Sequence, residues 1–311
     1  VARQKGEGDM REIASGLLFP EGPIAMDDGS VILVEIARGT LSRVTPNGKV
    51  EVIAEPGGGP NGAAIGPDGA VYICNNGGFE WHDVNGLLFA GDIAKDYSGG
   101  RIERVDLSTG KVEVLYTEVN GNPLRGPNDI VFDREGGFWF TDLGKGFDRL
   151  KDRGALFYAK TDGSHVEEMV FPVETANGVG LSPDEDYVYV AETQGARLWR
   201  WKLDGAGKLA DAGRTGQKNF VASPAGFNFF DSMAVEADGT VCVATIMNGG
   251  ISRIDPESGD IRHVATGDPM TTNICFGGAD LKTAYITASG TGKLLATEWD
   301  APGLPLNFLN K

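Results

Sequence analysis

Apolar and polar residues alternate with a period of about two along most of the chain, which is typical of strands that bury one face of a sheet. Short runs of β-branched and aromatic residues are separated by turn signals such as DDG, PDG and ADG. The spacing of 3.6 residues that marks an amphipathic helix is nearly absent. This pattern predicts an all-β protein that is built from many short strands.

The predicted strands recur in six repeats, each of which begins with a polar residue directly before an apolar strand. An acidic residue stands seven positions after each of these polar residues, which we call the anchors. The six anchors are Glu21, Asn61, Asn128, Asn177, Asp231 and Asn273. Each repeat continues with a second strand, a loop and a third strand, and several repeats add a fourth. Four antiparallel strands repeated six times predict a six-bladed β-propeller that closes as a single domain over residues 1–311.

The ends of the chain indicate how the propeller closes. The last repeat has three clear strands, and the segment MREIAS (10–15) before the first anchor belongs to no repeat. We therefore predict that this N-terminal strand supplies the outer strand of the last blade and covers its open edge. A second irregularity is the insertion at 76–99, whose aromatic content favours a packed loop that forms part of a pocket.

Composition narrows the possible functions. The chain has 28 Lys and Arg against 44 Asp and Glu, a net charge of −16 that disfavours nucleic acid as a partner. Neither a transmembrane run of 18 apolar residues nor a signal-peptide core in VARQKGEGDM is found, so no membrane association is expected. The three cysteines lie in apolar strands and are expected to be buried and reduced. We predict a cytoplasmic protein that is a monomer or a weak homo-oligomer.

The chemistry of the anchors indicates a metal site. The inner strands of a propeller line its channel, so the six anchors should meet at one mouth. All of them offer oxygen, without His or Cys, which favours a hard cation such as Ca²⁺. A single anchor taken alone is more readily a turn or capping residue. Taken together, Glu21, Asn128, Asn177 and Asp231 favour one divalent ion, with Ca²⁺ first and Zn²⁺, Mn²⁺ or Mg²⁺ possible in the cell.

Four motifs, together with Asp231, carry a resemblance to a known family over nearly the whole chain. The motifs are FPEGP (19–23), GPND (126–129), ANGVGLSPD (176–184) and YVAET (189–193). They resemble the gluconolactonase, regucalcin (senescence marker protein) and luciferin-regenerating-enzyme family. The resemblance implies a six-bladed propeller with one catalytic divalent ion, and hydrolysis of a small-molecule lactone or ester. By motif position it implies Glu21, Asn128, Asn177 and Asp231 as metal ligands, with Asp231 also acting as the base.

Further side chains are candidate substrate contacts because they lie at strand ends or in the insertion. They are Arg125, Asp142, Asn61, Asn75, Trp81 and His82. A salt bridge within a loop is the alternative for Arg125, and a plain turn residue is the alternative for Asp142.

Lactone hydrolysis is the first functional hypothesis, and two others stay open. One is arylesterase or organophosphate hydrolase activity at the same ion, and the other is a non-catalytic calcium-binding interaction propeller. Related phosphotriesterases carry a second calcium with a nearby His, whereas the sixth repeat has no His and the residue three after Asp231 is Ala234. The aromatic insertion and the GFNFF run (226–230) nevertheless indicate a pocket that is more apolar than a sugar lactone needs.

Overall fold

The computed structural model describes residues 10–211 and 213–311. Within these residues six four-stranded antiparallel sheets form the blades of a propeller, as the repeats predicted. We number the blades 1 to 6 by the order of their inner strands. The inner strands of neighbouring blades contact each other in all six pairs, and the contact between blades 6 and 1 closes the ring.

The strands of each blade follow one another from the inner to the outer edge in chain order, except that the outer strand of blade 6 is N-terminal. Blades 1 and 2 consist of Pro20–Ala25, Val31–Glu35, Thr40–Val44 and Val50–Ala54, and of Pro60–Ile65, Val71–Asn75, Arg101–Val105 and Val112–Tyr116. Blades 3 and 4 consist of Pro127–Phe132, Gly137–Asp142, Gly154–Lys160 and Val166–Val173, and of Ala176–Leu181, Tyr187–Glu192, Arg197–Lys202 and Phe220–Ala222. Blades 5 and 6 consist of Phe229–Val235, Val241–Ile246, Gly250–Ile254 and Ile261–Ala265, and of Thr271–Gly277, Thr283–Ala288, Lys293–Glu298 and Arg11–Ala14.

Three two-stranded hairpins and one short helix complete the described elements. The hairpins pair Phe79–Val84 with Leu87–Ile93, Glu118–Val119 with Asn122–Pro123, and Gly146–Phe147 with Leu150–Lys151, and a 3₁₀ turn spans Gln217–Asn219. No helix in the described ranges has the length and hydropathy needed to cross a bilayer. The three cysteines are buried and free, as expected.

The second strand of blade 3 contributes side chains to two parts of the core, one shared with blade 2 and the other with blade 4. In Gly137–Asp142, Phe138 and Phe140 pack in one apolar cluster with Tyr72 of blade 2, while Trp139 between them packs in another cluster with Val179 of blade 4. Successive side chains of a strand point to opposite faces, so a run of three aromatics serves both interfaces. Each fully buried side chain of this size contributes about 1.5–3 kcal/mol. The core therefore lies between blades, and no blade buries its two faces alone.

The N-terminal strand closes the ring as predicted. Arg11–Ala14 pairs antiparallel with Lys293–Glu298 and becomes the outer strand of blade 6. The last blade is thus built from both ends of the described chain, and its edge is covered. Residues 1–9, which include most of the segment searched for a signal peptide, lie outside the described residues.

Residues 301–311 lie at the end of the channel opposite the anchors. Three of them bond to carbonyl groups at the far ends of inner strands: the Leu304 N–H to Val235 (2.9 Å), the Asn307 side chain to Phe132 (3.1 Å) and the Asn310 side chain to Ala25 (3.1 Å). A cavity of about 280 Å³ remains between this segment and the anchors, and it is lined mainly by apolar residues of the inner strands. The channel is therefore plugged at one end by its own chain.

Candidate active site

Each of the six anchors is the second or third residue of its inner strand, and all of them are buried at the mouth of the channel. Glycine follows three of the anchors, Glu21, Asn61 and Asn177, and allows the inner strands to approach each other. A Cβ atom on Gly22 would lie 2.6 Å from the carbonyl oxygen of Asn61, and one on Gly178 would lie 2.7 Å from that of Asp231. Such distances exclude any larger side chain, so the Glu-Gly and Asn-Gly dipeptides bring neighbouring anchors together.

Two anchor carboxylates at this mouth, Glu21 and Asp231, lie close enough to interact electrostatically. Glu21 is 2% exposed, and its Oε2 accepts hydrogen bonds from Gly22 N–H (2.6 Å) and Asn273 Nδ2 (2.7 Å). Burial raises the pKa of Glu21 well above its usual range, and the charge of Asp231 raises it further. Burial also raises the pKa of Asp231, which is 8% exposed. Within the described residues no Lys, Arg or His side chain pairs with either carboxylate.

The carboxamides supply the remaining oxygens. Asn128 Oδ1 is buried and has no hydrogen-bond partner, although buried acceptors are nearly always satisfied. Asn177 donates its Nδ2 to Thr193 Oγ1 (3.0 Å), which fixes its orientation, and Ser232 Oγ lies 3.5 Å from its Oδ1. An orphaned oxygen beside two uncompensated carboxylates fits an oxygen-bound cation. No cluster of three or more His, Cys, Asp or Glu with metal-binding character occurs in 10–211 and 213–311, so this fit depends on the carboxamides.

Asp129 is a central residue that the sequence reasoning did not select. It is buried, and its carboxylate accepts hydrogen bonds from Ile130 N–H (3.0 Å) and from Val179 N–H of blade 4 (3.2 Å). Burial raises the pKa of Asp129 to about 7, and its charge in turn raises the pKa values of Glu21 and Asp231. A signal existed in the sequence, since Asp129 is the only acidic residue that directly follows an anchor.

Two of the predicted substrate contacts, Asp142 and Asn75, form hydrogen bonds with loop residues. Asp142 is buried and accepts hydrogen bonds from the N–H groups of Arg125 (2.7 Å), Gly126 (2.8 Å) and Gly144 (2.8 Å). Asn75 is also buried and accepts from Gly59 N–H (2.9 Å) and Gly77 N–H (3.0 Å), while its Nδ2 donates to Gly57 O (2.9 Å) and Glu103 (2.8 Å). These contacts shape the mouth loops and leave few atoms free for a ligand.

Arg125 has a more open position. Its Nε pairs with Asp152 at 3.0 Å, its guanidinium lies 5.4 Å from the centre of the Phe147 ring, and its side chain is 40% exposed. The loop salt bridge considered from the sequence is therefore present, with part of the side chain still accessible to a ligand.

The insertion at 76–99 forms the hairpin of Phe79–Val84 and Leu87–Ile93, which we call the mouth hairpin. The Trp81 ring packs 4.9 Å from Phe19, two residues before the anchor of blade 1. Leu88 N–H donates to Gly290 O of blade 6 at 2.9 Å. His82 is exposed on the hairpin. The sequence thus indicated a packed aromatic segment, and the structure adds that it lies along the mouth side of blades 1 and 6.

The chain is similar to known proteins in sequence and in fold. The family described as the SMP-30/Gluconolactonase/LRE-like region matches residues 19–290. Gluconolactonase of Zymomonas mobilis is 26% identical, over 89% of this chain and 78% of its own. Lactonase drp35 of Staphylococcus haemolyticus is 30% identical, over 74% of this chain and 64% of its own. The fold is also that of the calcium-binding protein regucalcin of Agrobacterium tumefaciens, with a TM-score of 0.70 and 18% identity over 95% of this chain and 94% of that one.

Proposed function

Because the chain belongs to the SMP-30/gluconolactonase/LRE-like family, we propose that it is a divalent-metal-dependent hydrolase that opens a lactone ring. Relatives named gluconolactonase and lactonase support the lactone as the substrate class. The observation that carries the metal dependence is the pair of buried carboxylates, Glu21 and Asp231, beside the orphaned oxygen of Asn128. Two neighbouring buried anions without a cationic side chain are costly unless a cation compensates them.

Four anchors would hold the ion, namely Glu21, Asn128, Asn177 and Asp231. Their oxygen-only chemistry favours Ca²⁺, and the calcium-binding regucalcin fold is consistent with this choice. When bound, a divalent ion supplies a Lewis acid that stabilises negative charge on the carbonyl oxygen of a lactone.

Asp231 is our candidate for the base that takes a proton from the attacking water. Of the two anchor carboxylates it is the more exposed, at 8% against 2% for Glu21. Oε2 of Glu21 is already occupied by two donors, which lowers its capacity to accept a proton.

A second candidate function is hydrolysis of aryl esters at the same ion. It is favoured by Phe227, which is 73% exposed four residues before Asp231 and packs edge-on against Phe229 with ring centres 4.9 Å apart. An exposed aromatic beside the mouth suits an aromatic or acyl group of a substrate.

One assay separates these functions. Sugar lactones, alkyl lactones, aryl esters and phosphotriesters are offered to the protein, with Ca²⁺ and with EDTA. We expect the highest kcat/KM for a lactone and loss of turnover in EDTA that Ca²⁺ restores. Turnover that EDTA leaves unchanged would refute the metal dependence. Binding of Ca²⁺ without turnover of any class would favour the interaction propeller.

A further inference from the structure

Lys145 is buried in the loop after the second strand of blade 3, and it contacts the root of the mouth hairpin. It is 2% exposed, and its Nζ donates to Gly78 O at 2.9 Å and lies 3.4 Å from Asn76 Oδ1. The ammonium also lies 3.6 Å from the centre of the Phe79 ring and 5.5 Å from that of Tyr97. All four partners belong to the insertion at 76–99. A single blade 3 side chain thus contacts both ends of the insertion, beside the hydrogen bonds from Asn76 N–H to Gly59 O (2.8 Å) and from Tyr97 Oη to Arg125 O (2.7 Å).

The contacts continue from Lys145 to the anchor of blade 1. Phe79 packs edge-on against Trp81, with ring centres 6.1 Å apart, and Trp81 packs against Phe19 at 4.9 Å. Phe19 stands two residues before Glu21. Displacing the root at Phe79 therefore displaces the aromatic residues beside the candidate metal site.

We propose that Lys145 is a positioning residue that holds the mouth hairpin against blades 1 and 6, so that it sets substrate binding without touching substrate. The proposal rests on the proposed function only in its kinetic part. Cation–π contacts and hydrogen bonds from charged donors are individually strong in buried surroundings, and here one ammonium makes both kinds. A salt bridge would tolerate water between its groups, whereas this contact requires the ring and the carbonyl to stay in place.

Burial lowers the pKa of Lys145 to about 7, while the charge of Asp142 opposes that shift. The variants are therefore compared at about pH 6, where the ammonium that makes these contacts predominates.

The test compares Lys145→Ala with Lys145→Arg and with Lys95→Ala. Lys95 is the matched control, because it belongs to the same insertion but its side chain is 91% exposed. In hydrogen exchange of the full-length protein, we expect the hairpin amides, Leu88 among them, to exchange about 10-fold to 100-fold faster in Lys145→Ala. Amides of blades 4 and 5 should keep their rates. Lys145→Arg should restore most of the protection, and Lys95→Ala should match the wild type.

Kinetics supply the second readout. Lys145→Ala should raise KM for the best lactone by about 10-fold or more, with kcat within about twofold of the wild type. Unchanged hairpin exchange, or a loss confined to kcat, would overturn the proposal. If the wild type hydrolyses no lactone, the proposed function fails, and the exchange data still decide whether Lys145 holds the hairpin.

Discussion

Replacing Asp231 with Asn tests whether this carboxylate only binds the ion or also accepts a proton. Asn keeps a neutral oxygen at the same position, but it cannot take up the proton of the attacking water. General-base catalysis contributes about 10²–10⁴-fold, or about 3–5 kcal/mol of activation free energy. We expect kcat of Asp231→Asn to fall at least about 100-fold at saturating metal.

Glu21→Gln is the matched control, because it removes the same charge from the same buried pair. Its Oε2 already accepts the Gly22 N–H and the Asn273 side chain, so this residue is not expected to exchange protons with water. The variant should bind the ion more weakly and recover most of its kcat when excess Ca²⁺ is supplied. The assay is kcat as a function of Ca²⁺ concentration, with calorimetry of Ca²⁺ binding on both variants.

The metal-free proteins provide an independent check on the electrostatics. Burial raises the pKa of both acids in the folded protein, whereas in the unfolded chain they ionise near pH 4. Above about pH 4 ionisation therefore favours the unfolded state and lowers the free energy of unfolding. In EDTA at pH 7, both variants should gain about 1–3 kcal/mol of unfolding free energy, measured with urea. If saturating metal rescues both variants equally, Asp231 is only a ligand. A loss of stability in EDTA would contradict the repulsion between the two carboxylates.

Three further predictions concern the ion, the closure of the ring and the pocket. Ca²⁺ at 100 times its Kd should stabilise the wild type by about 2.7 kcal/mol in thermal melts. Asn128→Ala lacks the orphaned oxygen and should gain less stability at the same Ca²⁺ concentration. Deleting residues 1–15 should lower Tm and broaden the transition, because it removes the outer strand of blade 6, whereas a full-length-like melt would contradict this closure. Trp81→Ala should raise KM or change the ranking of a lactone panel while Ca²⁺ affinity stays nearly constant, because Trp81 packs on Phe19 and is not an anchor. Equal kinetics across the panel would show that the hairpin is only structural.

The sequence predicted those features that depend on patterns within a single repeat. The period of two, the acidic turns and the anchor positions lie within single repeats, so the propeller and its closing strand followed from the sequence alone. The path of the mouth hairpin depends on the contact between Leu88 and Gly290, which join blades that are distant in the chain. In the sequence Lys145 is an ordinary loop lysine between two glycines. It is buried because Phe79 and Gly78, which are distant in the chain, pack against it. The sequence also could not show that Asp142 and Asn75 accept hydrogen bonds within loops, because every residue except proline offers a backbone N–H.

The segment that plugs the far end of the channel determines how molecules reach the anchors. Asn307 and Asn310 bond to carbonyl groups of blades 3 and 1 at that end, so in the proposed reaction the substrate would enter and the product would leave by the mouth. In that reaction a product would leave before the next substrate entered, and a tightly held product would act as a competitive inhibitor. The same arrangement suits immobilisation. Lys311 is exposed on the plugged side, so a surface tethered there would leave the mouth facing the solution.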